Sequence, residues 1–296
     1  EPLKEEKEQQ IAKSKAFSKT PTAIEIFAGG GTLVKALSDA GIKTVAAVEL
    51  EDKYLQSLEA NNPNVTTYCG DLAKLDISML PKADMVVAGI PCEGYSQAQT
   101  KKSEKFEAHP TGSLGFYVLK IIDAIRPAVV LIEEVPNFKS SAMASMTRYV
   151  LDSMGYHISE TELVGSDYGS LTKRKRYCMV ASIKKGFEFD DSLKKINTRT
   201  VRDILEVPVE NRDWLDKNNS ATISYSLEKE KEHIRKGEGF RIGRTYLDDK
   251  VTPTITKGYF KGRLTDSILC HPTIPDTYSW FSATCWIVKS YSANKS

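Results

Sequence analysis

Five short apolar runs, separated by segments with helical periodicity, constrain the fold of this chain more than any other feature. The runs are Ala23–Ala28, Thr44–Val48, Asp84–Ala88, Ala128–Ile132 and Tyr177–Ile183. Each is apolar at nearly every position, so other parts of the protein must cover both faces of each strand. Strands of this kind that alternate with helices are typical of α/β proteins. We therefore predict a doubly wound, mostly parallel sheet over about residues 21–190.

The rest of the chain has a different composition. After Lys194 the sequence is polar and rich in turn residues, which predicts a second, smaller module. Residues 1–20 are charged throughout and lack the apolar segment of a signal peptide, so we predict a solvated helix or a frayed tail. We accordingly divide the chain into the tail, a principal domain (21–194), a small module (195–265) and a C-terminal segment (266–296).

Charge and cysteine content exclude several classes of protein. The 41 Lys+Arg and 39 Asp+Glu leave a net charge of +2, which by itself neither favours nor excludes a polyanionic partner. Five cysteines without a C-x-x-C pair predict a reduced cytoplasmic protein with no metal site. No apolar run is long enough to cross a bilayer, so we expect no membrane association. The segment Glu228–Arg244 is charged in both signs, which predicts a solvated surface.

Three consecutive glycines stand where the first predicted strand meets the first predicted helix, in the sequence IEIFAGGGT (Ile24–Thr32). Glycines there let the backbone turn tightly and approach a ligand, although a tight turn without a ligand is the alternative. Glu49 follows the second strand, where its carboxylate can bind ribose hydroxyls, and Asp71 follows a third strand candidate, where it can bind an adenine amino group. Together they predict a nucleoside-type cofactor. The G-x-G-x-x-G spacing is absent, which disfavours NAD.

Three further motifs supply reactive groups. Cys92, in GIPCEGYS (Gly89–Ser96), is a candidate nucleophile, and the alternative is a small buried hydrophobe, as we predict for the other four cysteines. Glu133 and Glu134 end a predicted strand, where burial and like charge raise carboxyl pKa values and would let one act as an acid. The run TKRKR (Thr172–Arg176) precedes another strand, so alternate cations would point toward the same site.

The motifs FAGGG, GIPC, EEVP and TKRKR, in this order over about residues 22–184, resemble those of the DNA cytosine-5 methyltransferase family. The resemblance implies a Rossmann-like methyltransferase fold with S-adenosylmethionine as cofactor and a target-recognition region in the second module. It also implies methyl transfer to C5 of a cytosine flipped out of double-stranded DNA. The residues that it places around the cofactor are Phe27, Ala28, Gly29, Gly30, Gly31, Thr32, Glu49, Leu50, Asp71, Leu72 and Pro91.

The resemblance also implies catalytic roles. Cys92 would add to C6 of cytosine, because C5 is too poor a nucleophile to take a methyl group until the ring becomes an enamine. Glu133, which matches the Glu of the family's Glu-Asn-Val motif, would donate a proton to N3. Arg174 would hold the base or a neighbouring phosphate, and Arg176 would support the loop. Residues 97–112 match the loop that closes over the flipped base.

Several positions depart from the family's motifs. Glu134 replaces the Asn after the catalytic Glu, Thr172 replaces the Gln that opens the basic motif, and residues 93–95 read Glu-Gly-Tyr instead of Gln-Pro-Phe. Residues 266–296 show no counterpart of the Gly-Asn motif that completes the family's cofactor pocket. We expect that the chain is truncated, that a second polypeptide supplies this element, or that residues 1–20 substitute for it.

The leading hypothesis is a DNA modification enzyme of a microbial or phage restriction-modification system, located in the cytoplasm and associated with the nucleoid. Methylation of RNA cytosines is a second enzymatic hypothesis. A nucleic-acid-binding pseudo-enzyme, or one subunit of a split methyltransferase, is the hypothesis from a different class. Parallel assays on duplex DNA and tRNA separate the two enzymatic hypotheses.

Overall fold

The computed structural model describes residues 20–91, 113–195, 198–205, 207–239, 241–253 and 267–279. The chain separates into two compact units, one made of Glu1–Leu163 and Lys175–Asp190, the other of Val164–Arg174 and Asp191–Ser296. The predictions for the tail up to residue 19, for Cys92, for the loop 97–112 and for residues 280–296 lie outside the described residues. The boundaries that we placed after residues 194 and 265 stay predictions.

The first unit is built on a mostly parallel sheet. In the described ranges its strands are β1 Thr22–Ile26, β2 Lys43–Glu49, β3 Thr66–Cys69, β4 Met85–Gly89, β5 Val129–Glu134, β6 His157–Val164 and β7 Lys175–Ser182. Their order is β3-β2-β1-β4-β5-β7-β6. The pairs from β3 through β5 are parallel, and β7 runs antiparallel to β5. This arrangement confirms the predicted doubly wound fold.

Helices cover both faces of this sheet. The helices of the first unit are α1 Thr32–Asp39, α2 Asp52–Asn61, α3 Leu114–Ile125 and α4 Ala142–Ser153. On one face, strand residues such as Ile24 and Ile132 pack with Ile122 of α3 and Leu151 of α4. On the opposite face, smaller clusters join Ala47 and Val87 to residues of α1. Alternate positions of the central strands are therefore buried on both faces, as the apolar runs predict.

The strand limits differ from the predicted ones in two instructive places. β1 ends at Ile26 instead of Ala28, because Phe27 has a left-handed φ of 63° and begins the turn. β6 (His157–Val164) has no apolar run and was not among the predicted strands. It lies at the edge of the sheet, where most of its side chains are only half-buried.

Cys69, at the end of the opposite edge strand, is exposed, so its predicted burial was wrong.

The second unit contains the helix α5 (Ala221–Arg235) and a separate sheet. Its described strands are β8 Gly243–Thr245, β9 Ser267–Cys270 and β10 Tyr278–Ser279. β9 is parallel to β8 and antiparallel to β10. A small apolar core joins Ile223 and Leu227 of the helix to Ile268 and Tyr278 of the sheet. Because this core is small, polar contacts inside the unit carry a larger share of its stability.

One ion pair within this unit corrects the prediction for Glu228–Arg244. Glu228 and Lys231 are exposed, as expected, but Glu230 is 5% exposed. Its Oε2 and Oε1 atoms lie 2.7 and 2.9 Å from Nη2 and Nη1 of Arg244, and Oε1 also accepts the Ile242 N–H at 2.8 Å. Helical spacing puts Glu230 on the same face as the apolar residues of α5, so its carboxylate enters the core and requires a partner.

We expect Glu230→Ala to destabilise the second unit by about 3 kcal/mol, because the substitution leaves the Arg244 guanidinium partly buried without its partner. The matched control is Glu228→Ala, which removes an exposed pair with Lys231 on the same helix and should cost less than about 1 kcal/mol. Trp214 lies in the second unit, so tryptophan fluorescence during urea unfolding reports on that unit. Equal losses of stability in the two variants would contradict this account.

Candidate functional site

The carboxyl ends of the central parallel strands place the predicted site residues along one edge of the sheet. The glycine turn follows β1, Glu49 is the last residue of β2, and Gly89 is the last residue of β4. Gly89 is paired in register with Glu133 of β5. Since β2 and β3 extend the sheet on one side of β1 and β4 and β5 on the other, the strand order reverses at β1, which is where ligands bind in such sheets.

The turn after β1 has an unusual backbone that opens it on one side. Phe27, Gly29 and Gly31 have φ values of 63°, 53° and 86°, so every second residue is left-handed. A Cβ atom at Gly29 would meet nothing within 4 Å, whereas at Gly31 it would lie 3.0 Å from Leu58 Cγ and 3.2 Å from Asn62 Nδ2. Gly31 therefore permits close packing against α2, and Gly29 leaves open space above the turn.

Glu49 holds this turn in place. Its Oε2 accepts the Gly29 N–H at 2.8 Å, and its Oε1 accepts the N–H groups of Leu50 and Glu51 at 2.9 and 3.1 Å. A carboxylate offers about four acceptor directions, so at least one is left for a ligand hydroxyl. The residue that we predicted to contact a ribose thus also fixes the backbone that would surround it.

Glu25, which the sequence reasoning did not single out, lies beneath the same turn. It is 1% exposed in β1, and its Oε2 has no hydrogen-bond partner among the described residues. Burial is the main cause that raises the pKa of Glu25 to about 8. The negative charge of Glu49 raises this pKa further, whereas a hydrogen bond with the Val34 backbone lowers it. Gly31 caps α1 without a side chain, so the Glu25 carboxyl is the acidic group at that helix start. The sequence feature that could have revealed Glu25 is that it is the single acidic residue in the apolar run AIEIFA (Ala23–Ala28).

The remaining predicted cofactor residues lie near the same edge. Asp71 follows β3 and accepts the Ala73 N–H at 2.9 Å, which caps a short 3-10 turn. Leu50 is 60% exposed, whereas Leu72 is buried in the core. Pro91 is half-buried and follows β4. Their roles toward a cofactor stay predictions.

Glu133 and Arg176 form the central ion pair of the site. Glu133 Oε1 lies 2.6 Å from Arg176 Nε, and both side chains are partly exposed. Arg176 Nη1 also donates to its neighbour's carbonyl, that of Lys175, at 2.7 Å, which restricts the guanidinium further. A Cβ atom at Gly89 would lie 3.7 Å from Glu133 Oε2, so the absence of a side chain there leaves space beside the carboxylate.

The basic run divides between the two sides of β7. Lys175 lies 3.5 Å from Glu162 of β6, while its neighbour Arg176 turns toward Glu133, as alternation along a strand requires. Arg174 is the last residue of the second unit's segment Val164–Arg174, and its carbonyl accepts the Gly165 N–H at 2.9 Å. The role of the Arg174 side chain stays a prediction.

The nucleophile assignment to Cys92 also stays a prediction, but a nearby thiol does not compete with it. Cys178 is the cross-strand neighbour of Glu133 and is buried, as we predicted for this cysteine. Burial, with the negative charge of Glu133 as the next cause, raises its pKa to about 11, so it is a neutral thiol at pH 7. Within the described ranges, no group of three or more His, Cys, Asp or Glu could hold a metal ion.

The family model for C-5 cytosine-specific DNA methylases matches residues 22–278. The chain belongs to this family. Its resemblance to that family, read from four motifs, is thereby confirmed. None of the helices in the described ranges has the length and apolar character that a membrane span requires.

Individual relatives agree with this assignment. The type II methyltransferase M.DsaV of Dactylococcopsis salina is 28% identical over 252 residues, which cover 80% of this chain and 67% of the relative. A DNA-cytosine methyltransferase of Escherichia coli K12 is 26% identical over 282 residues, 80% of this chain and 59% of the relative. The chain thus spans about three fifths to two thirds of their lengths. Neither name mentions a second chain, so the predicted second polypeptide gains no support.

A solved structure shares the fold. The Dnmt2 methyltransferase of S. pombe superposes with a TM-score of 0.66 over 86% of this chain and 78% of its own. The sequences are 18% identical, so this likeness concerns the architecture alone. It agrees with the predicted Rossmann-like methyltransferase sheet.

We expect Gly31→Ala to destabilise the first unit more than Gly41→Ala does. Both glycines are left-handed, with φ of 86° and 77°, so each substitution carries a backbone cost of about 1–2 kcal/mol. A methyl group at Gly41 meets open space, whereas at Gly31 it meets Leu58 and Asn62, which should add at least about 1 kcal/mol. Urea unfolding followed by circular dichroism measures both, and equal losses would refute the tight packing of the turn.

Proposed function

We propose that this protein transfers a methyl group from S-adenosylmethionine to C5 of a cytosine in double-stranded DNA. The observation that carries the proposal is one edge of a parallel sheet, where the glycine turn held by Glu49 and the Glu133–Arg176 ion pair lie, in a chain of the C-5 cytosine methylase family. The relatives named as a DNA-cytosine methyltransferase and a type II methyltransferase support DNA as substrate and a role in DNA modification.

The residues at the turn fit S-adenosylmethionine. Gly29 leaves open space above the backbone, Glu49 has an acceptor direction left for a ribose hydroxyl, and the exposed Leu50 side chain offers an apolar surface for the adenine. Asp71, two residues beyond the end of β3, would bind the adenine amino group. When bound, S-adenosylmethionine supplies an electrophilic methyl group. The other residues predicted around the cofactor complete this site.

The reaction requires an activated cytosine, which the chain's own residues would provide. The Cys92 thiolate adds to C6, and Glu133 donates a proton to N3 as the carbon–sulfur bond forms, so that no charge accumulates on the ring. C5, now the nucleophilic carbon of an enamine, takes the methyl group. Loss of the C5 proton to solvent then restores the C5=C6 double bond and expels the Cys92 thiolate, and N3 returns its proton to the Glu133 carboxylate.

Arg176 would stabilise the form of Glu133 that remains after the proton transfer. Once Glu133 has donated its proton, the carboxylate that remains is negative, and the guanidinium 2.6 Å away stabilises it. The same contact orients the carboxyl group before the reaction. A stacked base cannot reach groups at the edge of a sheet, so the target cytosine must be flipped out of the duplex. The second unit would contribute target recognition, with Arg174 at the base or a phosphate.

Covalent trapping on duplex DNA that contains 5-fluorocytosine tests the nucleophile. Fluorine at C5 cannot be removed as a proton, so the wild-type protein with S-adenosylmethionine should form an adduct that survives denaturation, and Cys92→Ala should form none. An adduct that persists in Cys92→Ala excludes Cys92 as the nucleophile. Methyl transfer to tRNA but not to duplex DNA would favour the RNA alternative, and an adduct seen only after a second polypeptide is added would favour the split enzyme.

Glu133→Gln should reduce the methylation rate at least about 100-fold, because the amide cannot donate an acidic proton to N3. The matched control is Glu162→Gln, a partly exposed carboxylate that pairs with Lys175 and has no part in the proposed mechanism. Its rate should equal that of the wild type. Single-turnover measurements of methyl transfer compare the three proteins, and a wild-type rate in Glu133→Gln would remove Glu133 from the mechanism.

A further inference from the structure

Glu134 is a buried acid that the proposed mechanism does not use. It follows Glu133 at the end of β5, but successive side chains of a strand point to opposite faces, so Glu134 enters the core while Glu133 faces Arg176. Glu134 is 1% exposed and stands opposite Tyr177 of β7. A carboxyl group in this position is costly unless it is neutral or paired.

The hydrogen bonds of Glu134 place it at the point where the strand becomes a turn. Its Oε2 accepts the Val135 N–H at 2.6 Å, and Val135 precedes the short 3-10 turn Pro136–Ser140. Its Oε1 is buried and has no hydrogen-bond partner among the described residues. The carboxyl therefore holds the backbone directly after Glu133, and any shift of that backbone moves the Glu133 side chain relative to Arg176.

The charged and titratable groups around Glu134 leave it without a cation of its own in the described structure. Glu133 disfavours its ionised form and Arg176 favours it, but the Arg176 guanidinium is engaged with Glu133. Tyr177 donates its hydroxyl to Glu160 of β6 at 2.7 Å. Glu160 is in turn paired with Arg148 of α4, at 2.5 Å, so that cation is also engaged.

Burial is the largest influence on Glu134. It is the main cause that raises the pKa of the carboxyl to about 8. The hydrogen bond from the Val135 N–H lowers this pKa, and the neighbouring Glu133 raises it. At neutral pH the group is therefore mostly a neutral carboxylic acid. In this form it accepts the Val135 N–H without placing a negative charge beside Glu133.

We propose that Glu134 is a positioning residue for Glu133 that acts as a neutral carboxylic acid, holding the Val135 N–H and leaving Arg176 to Glu133 alone. This inference rests on the proposed methyltransferase function. When Glu134 loses its proton to solvent, its carboxylate competes with Glu133 for the same guanidinium, and its demand for solvation pulls on the end of β5. Both effects displace Glu133, so ionisation of Glu134 should slow methyl transfer.

The first test is the pH dependence of single-turnover methyl transfer in the wild type and in Glu134→Gln. Gln keeps an acceptor for the Val135 N–H but cannot ionise. We expect its rate near pH 7 to lie within about threefold of the wild type, and we expect the wild-type rate to fall as the pH rises above about 8 while the Gln variant stays level. Glu134→Ala, which lacks the acceptor, should be slower at every pH.

The second test measures stability and does not depend on activity. The folded pKa of Glu134 lies above its unfolded value of about 4.3, so its contribution to stability is full below that value and is lost as the pH rises toward the folded pKa. The urea midpoint of the wild type should therefore fall relative to that of Glu134→Gln between about pH 5 and 8, and the difference should level off above. The difference between the wild type and Glu134→Gln cancels the pH-dependent contributions of the other titratable groups.

Glu25→Gln is the matched control, because Glu25 is also buried with its pKa raised to about 8. Its urea midpoint should show the same pH-dependent gain in stability. The control for the rate is Glu162→Gln, which has no part in the proposed mechanism and should keep the alkaline fall. An alkaline fall that persists in Glu134→Gln, or that disappears in Glu162→Gln, overturns the positioning role. If the difference in urea midpoint between the wild type and Glu134→Gln does not vary with pH, the proposal that Glu134 is a neutral carboxylic acid is overturned.

The two proposals fail in distinguishable ways. If the wild type transfers no methyl group to DNA at any pH, the proposed function and the positioning role are both overturned. If it transfers methyl groups and Glu134→Gln reproduces its pH profile, the positioning role alone is overturned. Methyl transfer by the wild type with a level profile only in Glu134→Gln supports both.

Discussion

The parallel pairing of β1, β4 and β5 is the constraint on which the rest of the first unit depends. Parallel neighbours require crossover helices, and those helices bury both faces of each strand, so the strands must be apolar throughout. The same pairing brings the carboxyl ends of the strands to one edge, where Gly89 and Glu133 stand in register. Polar residues are tolerated at this edge because the apolar positions end there.

The acids of this edge divide into two kinds according to the partners that the backbone provides. Glu49 accepts hydrogen bonds from three backbone N–H groups, and Glu133 lies against the Arg176 guanidinium. Glu25 and Glu134 point into the core, and burial raises the pKa of each to about 8. One sheet thus holds two carboxyl groups with polar partners at its edge and two buried carboxyl groups in the adjoining strand positions.

Sequence reasoning located the central strands and the order of the site motifs, and it missed features that depend on the edges of elements. β6 has half-buried polar residues and no apolar run, because only one of its sides is paired within the sheet. Glu230 was read as part of a solvated surface, since a charged helix hides the one acid that faces inward. In both places the local pattern was weak and tertiary packing decided the outcome.

The sequence by itself determined the α/β class, the position of the glycine turn and the family, because apolar runs, glycines and motif order are local properties of the chain. Only the tertiary structure decided that Glu134 and not Glu133 is the buried acid, that Arg176 is the partner of Glu133 and that Glu49 holds Gly29. These contacts join strands that are distant along the chain. They depend on strand register, where a shift of one residue would exchange the two faces.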